Sequence, residues 1–299
     1  MATPGRPWDA RAPEFFPRPL CSPLPSLATR PSPMVRRSNR RYHDRVAGRY
    51  DAVYDRPYWR FYRELSWRHL KPFLPAERPA RAADLGCGTG WFGRRLLKAG
   101  FDLVFLDPSG AMLEQARARV EEDGTRGREL AWVQAGLEDM AEVATDSLAF
   151  ATAQGDPLSF CDDPRRALAE LARVVAPGGV VVLSVDNRVA GVRSLLGAAT
   201  PDEALELCRT GRTAWLARRS EEAFPMKMFE PGELEHLFDK AGFEPLSTIG
   251  KTCIVQRDQE RWLEDPRWRK LLLQAEERVH ARPHWLGLAS HLQVAARRR

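Results

Sequence analysis

A chain of 299 residues can bury one sizeable core and allows one elaborated domain or two. Hydrophobic residues make up 43% and charged residues 29%, ordinary globular proportions, and no window approaches the roughly 18 consecutive apolar residues of a membrane helix. The net charge of +6 would hint at nucleic acid, but residues 1–45 hold nine arginines against Asp9, Glu14 and Asp44, so residues 46–299 are formally neutral. The five cysteines, Cys21, Cys87, Cys161, Cys208 and Cys253, are odd in number and lack any CxxC or Cys/His pairing at zinc spacing. A soluble cytoplasmic protein without a metal site is the expectation.

Residues 1–35 carry nine prolines among Ser, Thr and Arg without apolar periodicity, which predicts a disordered leader over residues 1–41. Its Arg-rich, acid-poor composition also fits an organellar transit peptide, although prolines this dense oppose the required amphipathic helix, and Met34 is an alternative start. Residues 42–78 read as an N-terminal helical cover. All five tyrosines fall there (Tyr42, Tyr50, Tyr54, Tyr58, Tyr62), several four apart on one helical face, with Pro57 breaking the run into two helices. This segment is expected to pack on the core, to close over an active site, or both.

From residue 79 the pattern becomes strand, turn, helix, repeated. Ala82–Leu85 is a strand, Trp91–Ala99 a helix closed by Gly100, Leu103–Leu106 a strand, and Ala111–Glu122 a helix capped near Ser109. Leu130–Val133 and Leu148–Thr152 are strands, Pro164–Val175 a helix stopped by Pro177-Gly178-Gly179, and Val180–Val185 a buried strand. Residues 187–225 interrupt the alternation as an insertion after strand five. Then come a helix over Pro231–Ala241, a strand over Glu244–Ile249, a long amphipathic helix over Gln259–Ala281 offering Trp262, Trp268, Leu271 and Leu272 for burial, and a last strand over Ser290–Ala295. Such alternation predicts an α/β fold with a doubly wound, mostly parallel sheet.

The strand ending in Asp84-Leu85 runs into Gly86, Gly88 and Gly90 and then a helix, a tight turn that lets backbone approach a ligand. Gly88-Thr89-Gly90-Trp91-Phe92-Gly93 formally satisfies GxGxxG, so a nicotinamide or flavin enzyme enters consideration. A dinucleotide fingerprint begins with Gly directly after the strand, however, and a carboxylate at Asp84 would repel a diphosphate. It suits a ligand carrying an ammonium, as S-adenosylmethionine does. Val104-Phe105-Leu106-Asp107 ends a second strand in an acid able to accept hydrogen bonds from both ribose hydroxyls, which points to a nucleoside.

These two motifs, with Pro108-Ser109 and Met112 following, resemble the class I, Rossmann-like S-adenosylmethionine-dependent methyltransferase family. Gly136-Leu137-Glu138-Asp139-Met140, Ala153-Gln154-Gly155-Asp156 and Leu171–Gly179 continue the resemblance in order, over roughly residues 42–299. The resemblance implies a seven-stranded sheet, S-adenosyl-L-methionine as cofactor and methyl transfer as activity. It further implies that Asp84, Gly86, Cys87, Gly88 and Gly90 hold the methionine moiety and Asp107 with Pro108 the ribose. Met112, Leu137 and Glu138 then surround the adenine, Gln154 lies near the methionine end, and Tyr50 belongs to the segment that closes over the cofactor. Gly136 stands where many relatives carry an acid, which shifts adenine contacts toward backbone and Glu138.

A sulfonium is already an activated leaving group, so placing a nucleophile about 3 Å from its methyl carbon in a dry pocket supplies most of the acceleration. Candidate bases or acceptor-binding groups are Asp156, Tyr50, His43 and His236. The leading expectation is a small-molecule acceptor. A tRNA (wobble uridine derivative) acceptor is the alternative, because Ile249-Gly250-Lys251-Thr252, Glu276-Glu277-Arg278 and Leu286–Leu292 are similar to the tail of the bacterial tRNA carboxymethoxyuridine methyltransferase. A basic face built from Arg209, Arg212, Arg218 and Arg219 would favour tRNA, and a closed apolar pocket a small acceptor. A non-catalytic cofactor-binding relative is a third reading.

Overall fold

Short apolar strands separated by glycine-rich turns and amphipathic helices leave each strand with two faces to cover, and the chain covers both. A computed structural model describes residues 33–124, 127–198, 200–215 and 223–299. Three helices come first, α1 (Pro33–Val46), α2 (Tyr50–Tyr54) and α3 (Pro57–Leu70). The alternating part runs β1 (Arg81–Leu85), α4 (Trp91–Lys98), β2 (Asp102–Leu106), α5 (Gly110–Glu122), β3 (Leu130–Val133), β4 (Leu148–Ala153), α6 (Pro164–Val174) and β5 (Val175–Asp186). After the insertion of α7 (Arg188–Gly197), α8 (Pro201–Thr210), β6 (Arg212–Trp215) and β7 (Phe224–Lys227) follow α9 (Pro231–Lys240), β8 (Phe243–Lys251), α10 (Pro266–Val279), α11 (Pro283–Leu286) and β9 (His291–Arg298).

Seven strands form one sheet in the order β3-β2-β1-β4-β5-β9-β8, with β9 antiparallel to both neighbours and the other pairs parallel. The doubly wound, mostly parallel expectation holds. Alternate residues of one strand serve opposite faces: Ala82, Leu103 and Phe105 pack with Leu96, Leu97 and Ala116 of α4 and α5, while Ala83, Val104 and Leu106 share a core with Leu168, Leu171 and Phe238 of α6 and α9. No helix among the described residues is long and apolar enough to cross a membrane.

Three expectations need correction. The leader was expected to lack structure through residue 41, yet α1 starts at Pro33, because the proline-dense stretch ends there and the fixed φ of proline suits a first helical turn. The rest of the leader, residues 1–32, lies outside the described residues. The single helix expected over Gln259–Ala281 is a 3-10 segment, Arg257–Leu263, followed by α10, with Asp265 accepting from the Arg267 amide at 2.7 Å and Pro266 opening the new helix. Its buried side also differs: Leu263, Leu273 and Glu276 turn inward, whereas Trp262, Trp268 and Leu271 are exposed. The insertion contains a two-stranded antiparallel hairpin, β6 with β7, beside its helices.

Glu276 is 1% exposed, and its carboxylate accepts from the amides of Cys253, Ile254 and Val255 at 2.9, 2.9 and 3.1 Å. One carboxylate thus satisfies three successive donors of the turn after β8.

The start of α4 is braced from below. Asp84 Oδ2 accepts from the Gly93 amide at 2.7 Å, and burial pushes its carboxyl up to about 7, the Gly93 bond opposing that shift and the Asp107 charge adding to it. Gly93 itself is required by close approach: a Cβ there would lie 2.1 Å from Cε1 of Phe105, whose ring stacks on Trp132 at 4.4 Å. The last glycine of the GxGxxG pattern therefore serves helix-to-sheet packing.

Gly93→Ala is expected to cost about 1–3 kcal/mol in urea unfolding through overpacking; unchanged stability would show that Phe105 moves aside freely. For Asp84, whose ordinary pKa is 3.8, the folded chain holds the proton more tightly, so this group stabilises below pH 4 and the contribution is lost as pH rises toward about 7. In the cofactor-free protein, Asp84→Asn should therefore gain stability relative to the parent between those limits. Parallel melting-temperature profiles for the two proteins would refute this.

Candidate active site

The loop between β1 and α4 is tied to the end of β2 by backbone and side chain. The amides of Gly86 and Cys87 donate to the Leu106 carbonyl at 2.7 and 3.0 Å. Asp107 Oδ2 accepts from the Gly88 amide at 2.8 Å and Oδ1 from the Ser109 amide at 2.9 Å, so one buried carboxylate bridges the first and second loops. Burial raises the Asp107 pKa, the two amides and His43 pulling it back. Gly88 has φ 52, where an L side chain is strained, and a Cβ there would point at the Tyr50 ring, 3.6 Å from Cε1. Cys87 is buried, which holds its thiol well above the ordinary range, and Pro108 is half-buried. Gly90, at φ 81, is the N-cap of α4.

The aromatic segment docks on the first and second loops. Asp51 Oδ1 accepts from Thr89 Oγ1 of the loop at 2.7 Å, and Oδ2 pairs with Arg119 of α5 at 2.7 Å. Asp44 Oδ1 accepts from Ser109 Oγ at 2.6 Å, which docks α1 on the start of α5, where Ser109 Oγ in turn caps the Met112 amide. Val46 and Ala47 pack on Met112, itself without exposure. The Tyr50 and Tyr54 hydroxyls lie 3.0 Å apart, and burial holds both phenols above their usual pKa. His43 bonds the Asn39 carbonyl through Nδ1 and sets its ring between Tyr42 and Tyr50.

Further along the sheet, Leu137 belongs to the core. Glu138 is buried with Oε1 accepting from the Asp163 amide at 2.7 Å, toward the start of α6. Gln154 donates through Nε2 to the Val182 carbonyl at 3.1 Å and accepts from Lys251 Nζ through Oε1 at 3.5 Å.

Beside Gln154 lies a polar cluster. Asp156 holds φ 67, a strained value for a residue with a Cβ and one that structures retain where surroundings enforce it. Its amide donates to Ser184 Oγ at 3.2 Å, Tyr62 OH donates to Oδ2 at 3.4 Å, and His291 Nδ1 stands 2.8 Å from the same oxygen. Asp186 Oδ1 is 3.6 Å from that nitrogen. Lys251, 1% exposed, donates to Tyr62 OH at 2.6 Å and Ser66 Oγ at 3.3 Å. Burial lowers the Lys251 ammonium to about 8 and raises Asp186 to about 7. For Asp156 burial acts upward, but the His291 and Lys251 charges outweigh it and hold the group at about 2.

Of the sequence-derived candidates, Asp156, Gln154, Tyr50, His43, Asp107 and the glycine loop thus come to the ends of the parallel strands. His236 does not: it is exposed on α9, and none of the hydrogen bonds or ring contacts above includes it. Asp186, Lys251, His291 and Tyr62 escaped sequence reasoning as site residues. The available signal was an acid closing strand five, as acids close strands one and two. Of the arginines expected for a basic face, Arg209 pairs with Glu206 at 3.0 Å, Arg212 is exposed, and Arg218 and Arg219 lie outside the described residues.

Known proteins resemble this chain in part of its sequence and in its fold. Residues 82–179 match a family described as methyltransferase domain. A malonyl-[acyl-carrier protein] O-methyltransferase from Pectobacterium atrosepticum is 30% identical over 140 residues, 47% of this chain and 49% of that protein. A ubiquinone biosynthesis O-methyltransferase from Aliivibrio fischeri is 33% identical over 125 residues, 42% and 51% respectively. The chain thus spans about half the length of these curated relatives. Among solved structures, an S-adenosylmethionine-dependent methyltransferase from Mesorhizobium loti aligns with TM-score 0.52 at 19% identity, over 78% of this chain and 98% of that one. Another from Thermotoga maritima aligns with TM-score 0.54 at 19% identity, over 87% and 99%. Residues 82–179 thus match the methyltransferase domain family within a chain that has a Rossmann-like fold shared with solved methyltransferases.

Proposed function

We propose that the chain is an S-adenosylmethionine-dependent methyltransferase that moves the sulfonium methyl group to an oxygen of a small-molecule acceptor. The observation that carries this reading is the bridge from Asp107 to the Gly88 amide, which sets the glycine loop beside an acid suited to ribose hydroxyls. The residues fit the cofactor. Asp84, Asp107 and Asp156 end three neighbouring strand-loop units, a setting that repels a diphosphate and suits a ligand carrying an ammonium and a sulfonium. The cofactor supplies an activated methyl group. The chain supplies position and dryness: Asp107 and the Gly86–Gly90 backbone hold the nucleoside and methionine ends, Met112, Leu137 and Glu138 the adenine side, and Tyr50 with Tyr54 keeps water out.

Both curated relatives are O-methyltransferases by name, which supports oxygen as the acceptor atom. The buried polar cluster behind the tyrosine cover supports a small acceptor over a nucleic acid. A reducing, cytoplasmic setting fits the free thiols of Cys87, Cys161, Cys208 and Cys253.

Calorimetry with S-adenosylmethionine should show one site per chain, weakened at least about tenfold in Asp107→Ala through loss of charged hydrogen bonds, with circular dichroism confirming that the variant folds. Methyl-labelled cofactor offered with small hydroxylated and carboxylated compounds beside bulk tRNA should place label in the small-molecule fraction. Label in tRNA alone would overturn the acceptor, and absent cofactor binding would overturn the whole reading.

A further inference from the structure

We propose that Asp156, Asp186 and His291 form a divalent-cation site on the acceptor side of the cofactor loop. Backbone pairing brings two of the three together: Asp186 ends β5 and His291 opens β9, and these residues are partners in the antiparallel register. Asp156 joins them from the turn after β4, held by the hydrogen bond that its backbone amide donates to Ser184 Oγ and by Tyr62. One ligand atom from each residue lies within 4.8 Å of the others.

Pairing within the trio leaves buried polar atoms over. His291 Nδ1 is 2.8 Å from Asp156 Oδ2 but not aligned with it as a donor, and both that nitrogen and Asp156 Oδ1 are buried without a hydrogen-bond partner among the described residues. Asp156 and His291 are each 5% exposed, so water does not readily stand in. Polar atoms side by side yet not aimed at each other are what ligands of a shared cation look like. Bonds of about 2.0–2.2 Å place adjacent ligands about 3 Å apart, to be set beside the 2.8 and 3.6 Å from His291 Nδ1 to the two carboxylates.

Lys251, the buried ammonium nearest the two acids, acts on them through its charge. Lys251 Nζ is spent on Tyr62, Ser66 and Gln154 and makes no salt bridge to either acid among the described residues. Arg257 lies over Trp59, its guanidinium carbon 4.4 Å from the ring centroid, and its charge also acts on Asp186. Two carboxylate oxygens and one imidazole nitrogen suit Mn²⁺ or Zn²⁺ over Ca²⁺, which takes six to eight oxygens. Three protein ligands leave coordination positions open, and on the methyltransferase reading above those positions receive the acceptor oxygen and lower its proton affinity. The cation site itself does not depend on that reading.

The test is titration of the full chain, stripped with chelator, with Mn²⁺ alone, following free Mn²⁺ by electron paramagnetic resonance. One saturable site per chain is expected, weakened at least about tenfold in His291→Gln and in Asp186→Asn and unchanged in Asp139→Asn. The visible spectrum of the Co²⁺-loaded protein should change in His291→Gln, reporting loss of the nitrogen ligand. If His291→Gln does not fold, Asp186→Asn, a half-buried position, carries the comparison. No saturable binding up to about 1 mM, or undiminished affinity in the folded variants, overturns the site. S-adenosylmethionine binding to the stripped chain is scored separately: intact cofactor binding with no Mn²⁺ binding removes the cation site alone.

Discussion

Strand order reverses between β1 and β4, and the site hangs on that reversal. From β1 the chain winds outward through β2 to β3, then returns to lay β4 on the other side of β1 and continues to β5. Loops following β1 and β4 therefore leave toward opposite faces, α4 and α5 on one and α6 on the other, and a crevice opens between them at the strand ends. Register then aligns what the strands deliver. Asp84 pairs with Phe105 and with Thr152, so the residues following each of these strands emerge at one level.

Acids gather at that level, and each is stabilised differently. Asp107 has two backbone amides, Asp84 one, and Asp156 a tyrosine and a histidine with a buried lysine behind them. Amides fix a carboxylate's orientation, while burial raises the proton affinity of Asp84 and Asp107, so a cationic ligand arriving there favours their charged form. Around Asp156 the balance is different, because Lys251 counters the acids from a position locked by three polar partners. The two halves of the crevice thus differ in charge character although both are built from strand-terminal aspartates.

Much of this was legible beforehand, for a physical reason. Alternating burial along β1 and β2, glycine at turns and capping at Ser109 are local constraints, and local constraints leave marks at fixed spacing. Asp107 was legible because its position follows from where a strand ends. His291 and Asp186 were not, since their meeting depends on which strands pair antiparallel, a long-range outcome. The β6–β7 hairpin was hidden by its shortness and by Pro225 within it. The burial of Glu276 ran against every composition rule, because a carboxylate goes inside only where donors await it, and those donors are main-chain groups that side-chain patterning does not reveal.

That inward Glu276 has a consequence for how such chains can be recombined. The turn after β8 follows directly on Lys251, and its three amides close on a side chain from α10, so neither segment keeps its conformation when paired with a stranger. A chimera that exchanges the matched domain at residue 179 leaves this clasp whole. One that joins the native β8 and its turn to a foreign C-terminal helix without Glu276 strands three buried donors directly after Lys251. Residues 251–276 therefore behave as a single block, to be exchanged whole or left whole.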